Sequence, residues 1–326
     1  MHHLPGHQCP GKGETRALKR PRSAPARKRG YLPNAQDRRC GALVPLFLTL
    51  LACAPFSATA APTPRPTRTP LPTLAPIPLG TLDPSGAATP SPPPVMPQPG
   101  WEQLAPGLEL RVAWMWVSGV SGPVEITLVR INPAYYDLRV HYALDEPATV
   151  AHWSERTGAA VLINGAFFEP GETVIGLVVE GGEPHGESLP SFGGMLSVSG
   201  GEVRVRSLRH NPVQPGETFD YAVQGRPTLL EEGGIPASFN FQPEASRRTA
   251  VAQDREGNIL FIVNDFGAVS LYALRDWLAT TPDLNLNVAF NLDGGGSTGL
   301  AIRVGDRVQV IDSWWPVATA VAAYPK

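Results

Sequence analysis

Hydrophobic and polar side chains form short alternating and continuous patterns after residue 100, and these patterns predict a strand-rich fold. Residues 108–117 alternate apolar and polar positions, which is the period of a half-buried strand. The continuous apolar run at 159–163 and the short, mainly apolar stretch at 288–292 predict buried strands. Further strands are expected at 124–131, 138–142, 174–179, 194–198, 203–208, 259–263 and 300–302.

Two short helices interrupt this strand pattern. The first is expected to be capped by Asp145 and to run to about Arg156, with Gly158 ending it. The second is expected from about Ser270 to Ala279, with three leucines on one face. Because helices and strands do not alternate regularly, the sequence favours an α+β fold over a βαβ fold. We expect one folded domain of strand-rich mixed sheets with two or three short helices.

The first hundred residues differ in composition from the rest and divide into two segments. Residues 1–60 combine a basic leader with an expected signal peptide, in which an apolar run precedes small residues suited to cleavage at Ala58–Ala60. Residues 61–100 are rich in proline and threonine, and dense proline blocks helices and sheet ladders. We therefore expect residues 61–100 to be a disordered linker and residues 101–326 to form the domain.

The expected signal predicts an extracellular or cell-envelope protein, connected to a membrane only through the signal or a lipid anchor. Leu50–Cys53 resembles a lipoprotein signal, in which Cys53 would be lipidated and become the first mature residue. Leu51 departs from the usual pattern, so free secretion is the alternative. The other two cysteines precede the cleavage site. The domain therefore has no thiol for a disulfide or a thiolate metal site.

Charge argues against nucleic acid as a partner. The formal net charge of the whole chain is −2, but ten basic residues and only two acidic ones lie in the first 39 positions. The remaining residues include 17 basic and 27 acidic side chains, a net charge of −10. An acidic body lacks the basic face that nucleic-acid binding requires.

The stretch most suggestive of chemistry is Phe290–Thr298, with the sequence FNLDGGGST. A short strand ends at Asp293, three glycines follow, and Ser297 and Thr298 add two hydroxyl groups. Glycine permits a tight turn and a close approach of ligand to backbone amides. This arrangement suits an anionic or polyhydroxylated ligand, and a glycine-rich hairpin without a ligand is the alternative.

Two further stretches place polar side chains at strand ends. Asn164 and Gly165 follow a buried strand, where the amide can bond a sugar hydroxyl or a phosphate oxygen, and an Asn-Gly turn is the alternative. Arg247 and Arg248 begin another strand, and the guanidinium fork suits carboxylate or phosphate oxygens. A structural ion pair is the competing interpretation for both arginines and is favoured for Arg247.

Four stretches together resemble the phosphodiester glycosidase family. They are NGAFF at 164–168, GRPTLL at 225–230 followed by Gly233, RTAV at 248–251 and NLDGGGST at 291–298. The family includes the domain of the lysosomal uncovering enzyme and many exported bacterial proteins associated with exopolysaccharide metabolism. The resemblance covers about residues 148–324. It implies an α+β fold and hydrolysis of a sugar 1-phosphodiester in a glycan or glycopolymer.

The resemblance implies a site drawn from these stretches, with Asp293, Arg248 and Asn164 as catalytic residues. The substrate-binding residues implied by the same motifs are Gly165, Thr249, Gly294, Gly295, Ser297 and Thr298. A phosphodiester is already a good leaving group, so an arginine and backbone amides can replace the general acid of ordinary glycosidases. One carboxylate, Asp293, then remains to act as base, nucleophile or oxocarbenium stabiliser.

Two departures from the family's motifs bear on substrate more than on fold. Ala166 stands where the family often has glycine, and Asn264–Gly267 replaces the more usual Asp-Gly-Arg, with loss of a basic contact. A non-catalytic extracellular glycan-binding module with the same fold is the alternative function. No cofactor or metal is expected to be required, and Ca²⁺ at Asp293 is a third hypothesis without calcium-loop spacing. The expected partner is a carbohydrate or sugar-phosphate substrate.

Overall fold

The computed structural model describes residues 98–169, 173–190, 193–241 and 244–326. The predicted leader, the signal peptide with Cys53 and nearly all of the predicted linker lie outside these ranges. The helices within them are α1 (Val150–Thr157) and α2 (Leu271–Thr280), and short 3-10 turns occur at Pro282–Leu284 and Gly295–Ser297. The strands are β1 (Glu102–Ala105), β2 (Leu108–Trp116), β3 (Pro123–Ile131), β4 (Tyr136–Tyr142), β5 (Val161–Asn164), β6 (Phe168–Glu169), β7 (Thr173–Val174), β8 (Val178–Glu180), β9 (Glu183–His185), β10 (Gly194–Ser199), β11 (Glu202–Ser207), β12 (Tyr221–Gly225), β13 (Thr228–Glu231), β14 (Ile235–Pro236), β15 (Ser246–Asp254), β16 (Ile259–Val269), β17 (Leu286–Asn291), β18 (Leu300–Val304), β19 (Arg307–Ile311) and β20 (Thr319–Pro325).

These strands form three large sheets and a two-stranded ribbon of β6 and β7. The largest sheet has the order β1-β2-β3-β16-β15-β17-β13-β14, and the two five-stranded sheets have the orders β11-β10-β12-β8-β9 and β19-β18-β5-β20-β4. Neighbouring strands within the described ranges pair antiparallel throughout. The prediction of strand-rich sheets is confirmed, but the prediction of mixed sheets is wrong for these ranges. Parallel neighbours need long crossover connections, and neither α-helix connects two strands that are neighbours in a sheet.

The main core lies where one face of the eight-stranded sheet packs against both five-stranded sheets. It includes Phe261 and Phe290 from the large sheet, Leu196 from the second sheet and Ile163 from the third. The opposite face of the large sheet is covered by α2. The opposite face of the third sheet packs against α1 through residues such as Trp153. Burial on both faces explains why these strands are continuous apolar runs rather than strict alternations.

The predicted N-terminal cap is correct for α2 and wrong for α1. α2 begins as expected after Ser270, whose hydroxyl accepts the amide of Ala273, and its three predicted leucines are buried. α1 begins later than predicted, because Thr149 rather than Asp145 caps it. Ala148, just before this cap, is held in a bridge with Val317, so the chain from Asp145 cannot turn into helix sooner. No helix within the described ranges is long and apolar enough to cross a membrane.

Candidate active site

The motif residues meet where the eight-stranded sheet approaches β5 of the third sheet. Asn164 ends β5 and is fully buried. Its Nδ2 donates to the carbonyl of Asp293 at 2.7 Å, while its Oδ1 accepts from the Thr249 hydroxyl at 2.7 Å and the Gly299 amide at 3.1 Å. A buried amide with three such partners is costly to remove. Asn164 therefore ties β15 to both ends of the glycine loop.

Gly165 completes this junction because no larger residue fits there. Its amide donates to the Thr319 carbonyl at 2.9 Å, and its carbonyl accepts from the Asp293 amide at 3.2 Å. A Cβ on Gly165 would lie 2.6 Å from the Thr319 hydroxyl oxygen. The glycine thus lets β20 and the Asp293 loop close against the end of β5.

The three glycines after Asp293 are each favoured for a different reason. Gly294 has an extended backbone, but a Cβ there would lie 3.0 Å from the Arg247 carbonyl. Gly295 has φ of +62°, a left-handed conformation that favours glycine. A Cβ on Gly296 would lie 2.6 Å from the indole ring of Trp315. The run is therefore a tightly packed loop rather than a simple hairpin turn.

The carboxyl group of Asp293 is the chemically unusual group of this loop. Its Oδ1 accepts the Gly294 amide at 2.8 Å, and its carboxylate also bonds the Ser297 hydroxyl. Burial raises the pKa of Asp293 from 3.8 to about 6, although both hydrogen bonds act to lower it. A carboxyl with that pKa can exchange a proton close to neutral pH.

Arg248 lies near Gly294, the residue after Asp293, with one nitrogen available. Its Nε donates to the carbonyl of Val269 at 2.8 Å and its Nη2 to the carbonyl of Glu244 at 2.5 Å. Among the described residues, none accepts a hydrogen bond from Nη1, which lies 3.9 Å from the position of a Cβ on Gly294. Burial lowers the pKa of Arg248, but an arginine keeps its charge in proteins. The guanidinium is thus anchored on two sides and open toward the loop.

Arg247 faces the other way and is structural, as the sequence favoured. It is 2% exposed, forms an ion pair with Asp265, and its Nη2 donates to the carbonyl of Asp312 at 3.0 Å. Asp265 belongs to the stretch that departs from the family's Asp-Gly-Arg. The stretch that replaces the family's Asp-Gly-Arg thus supplies an acidic partner for Arg247.

Two tryptophans adjoin the loop, and the sequence reasoning missed both. The amides of Trp314 and Trp315 donate to the Gly296 carbonyl at 2.7 and 3.2 Å. The Trp314 ring lies over the Arg247 guanidinium, with 4.6 Å between Cζ and the ring centroid. Two adjacent tryptophans after Ser313 were the one sequence feature that could have pointed to a binding surface. Only the fold shows that these tryptophans contact the glycine loop.

A second aromatic contact borders the Asn164 side. The Arg226 guanidinium lies over the Phe167 ring, with 5.7 Å between Cζ and the ring centroid. The Arg226 carbonyl accepts from Nδ2 of Asn291 at 2.9 Å. Asn291 is the last residue of β17, directly before the loop. The GRPTLL and NGAFF stretches thus meet close to Asp293.

The nine predicted site residues converge, but at different depths. Asp293, Gly294, Gly295 and Arg248 keep some exposed surface, whereas Asn164, Gly165, Thr249, Ser297 and Thr298 are buried. The buried members pack beneath the protein surface and position the loop, and the Ser297 hydroxyl bonds the Asp293 carboxyl directly. Within the described ranges, no three His, Cys, Asp or Glu side chains are grouped so that they could hold a metal ion.

Comparisons with solved structures concern the fold. The catalytic domain of zebrafish N-acetylglucosamine-1-phosphodiester alpha-N-acetylglucosaminidase, autoinhibited by its pro-peptide, superposes with a TM-score of 0.53 and 18% identity, over 71% of this chain and 87% of that one. A hypothetical protein from Synechocystis superposes with a TM-score of 0.50 and 19% identity, over 70% of this chain and 64% of that one. At such identities these similarities establish the fold alone.

The sequence comparison is more specific. No curated protein matches the chain. The profile of the phosphodiester glycosidase family, however, matches residues 157–324, a little over half of the 326 residues. This match includes the Asn164 end of β5, the Arg248 strand and the whole glycine loop. The chain belongs to the phosphodiester glycosidase family.

Proposed function

We propose that this protein is an exported hydrolase that cleaves a sugar 1-phosphodiester in a glycan or glycopolymer. The observation that carries the proposal is the Asp293 carboxyl, with its pKa raised to about 6, in a glycine loop whose next residue, Gly294, lies near the open Nη1 of Arg248. Family membership supports a glycosidase, and the expected signal peptide supports an extracellular or cell-envelope location.

Asp293 is proposed to act as the base. Its ionised carboxylate takes a proton from water while the water oxygen forms a bond to the anomeric carbon. The bond between that carbon and the phosphate oxygen breaks, and its electron pair leaves with the phosphate. The free sugar and a phosphate monoester are released. A raised pKa favours this role, because a base works best when its pKa is near the working pH.

Arg248 is proposed to stabilise the departing phosphate. The guanidinium is held by the carbonyls of Val269 and Glu244, so little reorganisation is needed when negative charge develops. The amide of Gly295 lies in the same loop and is a second candidate donor. Asn164 and Ser297 then act by holding Asp293 in place.

The test is turnover of a panel of sugar 1-phosphodiesters by the protein and by Asp293→Asn. The panel includes N-acetylglucosamine 1-phosphodiesters, because the zebrafish relative's name specifies that group. Free sugar and phosphate monoester should appear in equal amounts, and Asp293→Asn should lower kcat by about 10² to 10⁴. The exposed Asp306→Asn is the matched control and should keep full activity.

Two results would contradict the proposal. Wild-type kcat in Asp293→Asn would remove the carboxylate from the mechanism. Saturable sugar binding without turnover of any panel member would favour the alternative, a non-catalytic extracellular glycan-binding module.

A further inference from the structure

The most exposed large apolar side chains of the described ranges are carried by segments that contact either the glycine loop or Arg247. Trp314 is 69% exposed, Phe266 is 68% exposed and Trp315 is 64% exposed. Large aromatic side chains bury much surface when they find a partner, so their exposure on a folded domain points to a binding surface. We call these three side chains the aromatic wall.

Arg247 contacts the two segments that carry Trp314 and Phe266. Its guanidinium lies beneath the Trp314 ring and pairs with Asp265, the residue before Phe266. Gly267, on the other side of Phe266, packs near the Arg247 backbone amide. The part of β16 that carries Phe266 and the segment that carries Trp314 therefore both contact one buried side chain.

The third member connects the wall to the loop that carries Asp293. The indole ring of Trp315 packs on Gly296, where a Cβ would lie 2.6 Å from the ring. The backbone amides of Trp314 and Trp315 both donate to the Gly296 carbonyl. Gly296 lies three residues after Asp293, so the wall begins within one short loop of the proposed base.

We propose that the aromatic wall is a subsite for a neutral sugar ring of a glycan chain, and that it selects oligomeric over single-sugar phosphodiesters. This inference rests on the proposed function, since it specifies the substrate of the same site. The C–H faces of a pyranose stack on indole and phenyl faces, while its hydroxyl groups stay in water. Ligand sites commonly combine aromatic surface with a few polar groups in this way.

The charges near the wall favour a neutral ligand over an anionic one. The buried Arg247 is neutralised by Asp265 and sits behind Trp314, so it presents no free cation at the surface. Arg248, the open cation, lies at the Asp293 loop instead. The phosphodiester is thus expected at Arg248 and the uncharged sugar chain along the wall.

Binding is measured with Asp293→Asn as the parent variant, which retains the wall and is expected to turn substrate over far more slowly. Titration calorimetry with neutral oligosaccharides that lack phosphate should give saturable binding. Adding Trp315→Ala or Phe266→Ala should raise the dissociation constant by about tenfold or more, as expected for losing an aromatic contact. Trp314→Phe should retain most of the affinity, because a ring remains over Arg247.

The matched control is Trp116→Ala, which removes another exposed tryptophan from β2, where it pairs with Pro123 of β3. It should leave the affinity within about twofold of the parent. Equal oligosaccharide affinity in the parent, Trp315→Ala and Phe266→Ala would overturn the inference, and so would the absence of any oligosaccharide binding.

Kinetics separate this inference from the proposed function. In the otherwise native protein, Phe266→Ala should lower kcat/KM for an oligosaccharide 1-phosphodiester but not for the matching single-sugar compound. Equal losses on both compounds would overturn the subsite while leaving the hydrolase intact. Wall-dependent binding without turnover of either compound would support the subsite and reject the hydrolase.

Discussion

Asp293→Asn should stabilise the folded protein at neutral pH while it removes activity. Burial raises the pKa of Asp293 from 3.8 to about 6 in the folded state, and the unfolded chain keeps the ordinary value. A raised pKa contributes stability that is complete below about pH 3.8 and is lost as the pH rises through about 6. The ionised carboxylate therefore destabilises the folded state at pH 7. Asparagine lacks that charge, so the variant should be more stable there.

The size of the effect follows from the pKa shift. A shift of about two units corresponds to about 3 kcal/mol of unfolding free energy once the carboxyl is fully ionised. Most of this appears above pH 4, so the stability advantage of Asp293→Asn should grow by about 2 to 3 kcal/mol between pH 4 and pH 7. The amide oxygen of asparagine can still accept the Gly294 amide, so the loop need not rearrange.

Urea unfolding followed by tryptophan fluorescence at several pH values measures this growth. Asp306→Asn, which replaces an exposed aspartate in the turn between β18 and β19, is the matched control. Its free energy of unfolding should change with pH in the same way as that of the wild-type protein. If the stability difference between Asp293→Asn and the wild-type protein stays constant or shrinks from pH 4 to pH 7, burial does not destabilise the ionised carboxylate, and the argument is refuted.

Three further predictions address the same loop. The kcat/KM of the native protein should fall about tenfold per pH unit below about pH 6, because protonation of Asp293 removes the base, and a flat profile from pH 4 to 7 would argue against that role. Arg248→Lys should lower kcat by about 10² with little change in melting temperature, while Arg255→Lys, remote from the loop, should change neither; an active Arg248→Lys would remove the guanidinium from phosphate stabilisation. Gly165→Ala should cost about 1–3 kcal/mol in urea unfolding because its Cβ meets a threonine hydroxyl, whereas Gly100→Ala, with open space around it, should cost far less; equal costs would contradict the steric argument.

The sequence predicts the strands and the main motif well because their signals are local. β2 follows an alternating pattern, and α2 follows a serine cap with leucines at helical spacing. The expected ion pair of Arg247 is confirmed, since a charged side chain entering a buried strand needs a partner. The sequence prediction failed where tertiary contacts decide. The expected strand at 174–179 is divided between β7 and β8 because Gly176 has φ of +94° and Leu177 bonds a glutamine side chain from β12.

The depth and surroundings of the site depend on contacts across sheets, which a sequence pattern does not contain. Asn164 suits a ligand contact as a sequence motif, but its side chain is consumed by the protein itself. Thr298 offers a hydroxyl in the sequence, yet it is fully buried. Trp314 and Trp315 follow the glycine loop by more than fifteen residues in the sequence, so no local pattern links them to it. Only the fold brings their backbone amides within hydrogen-bonding distance of the Gly296 carbonyl.

The most direct test of the central claim is hydrolysis of a sugar 1-phosphodiester in ¹⁸O-labelled water. If water attacks the anomeric carbon, the label appears in the released sugar and the phosphate monoester stays unlabelled. Mass spectrometry of both products measures this in one reaction. Label in the sugar is the result expected of a glycosidase whose base is Asp293. Label in the phosphate would mean attack at phosphorus, and would contradict the proposed chemistry.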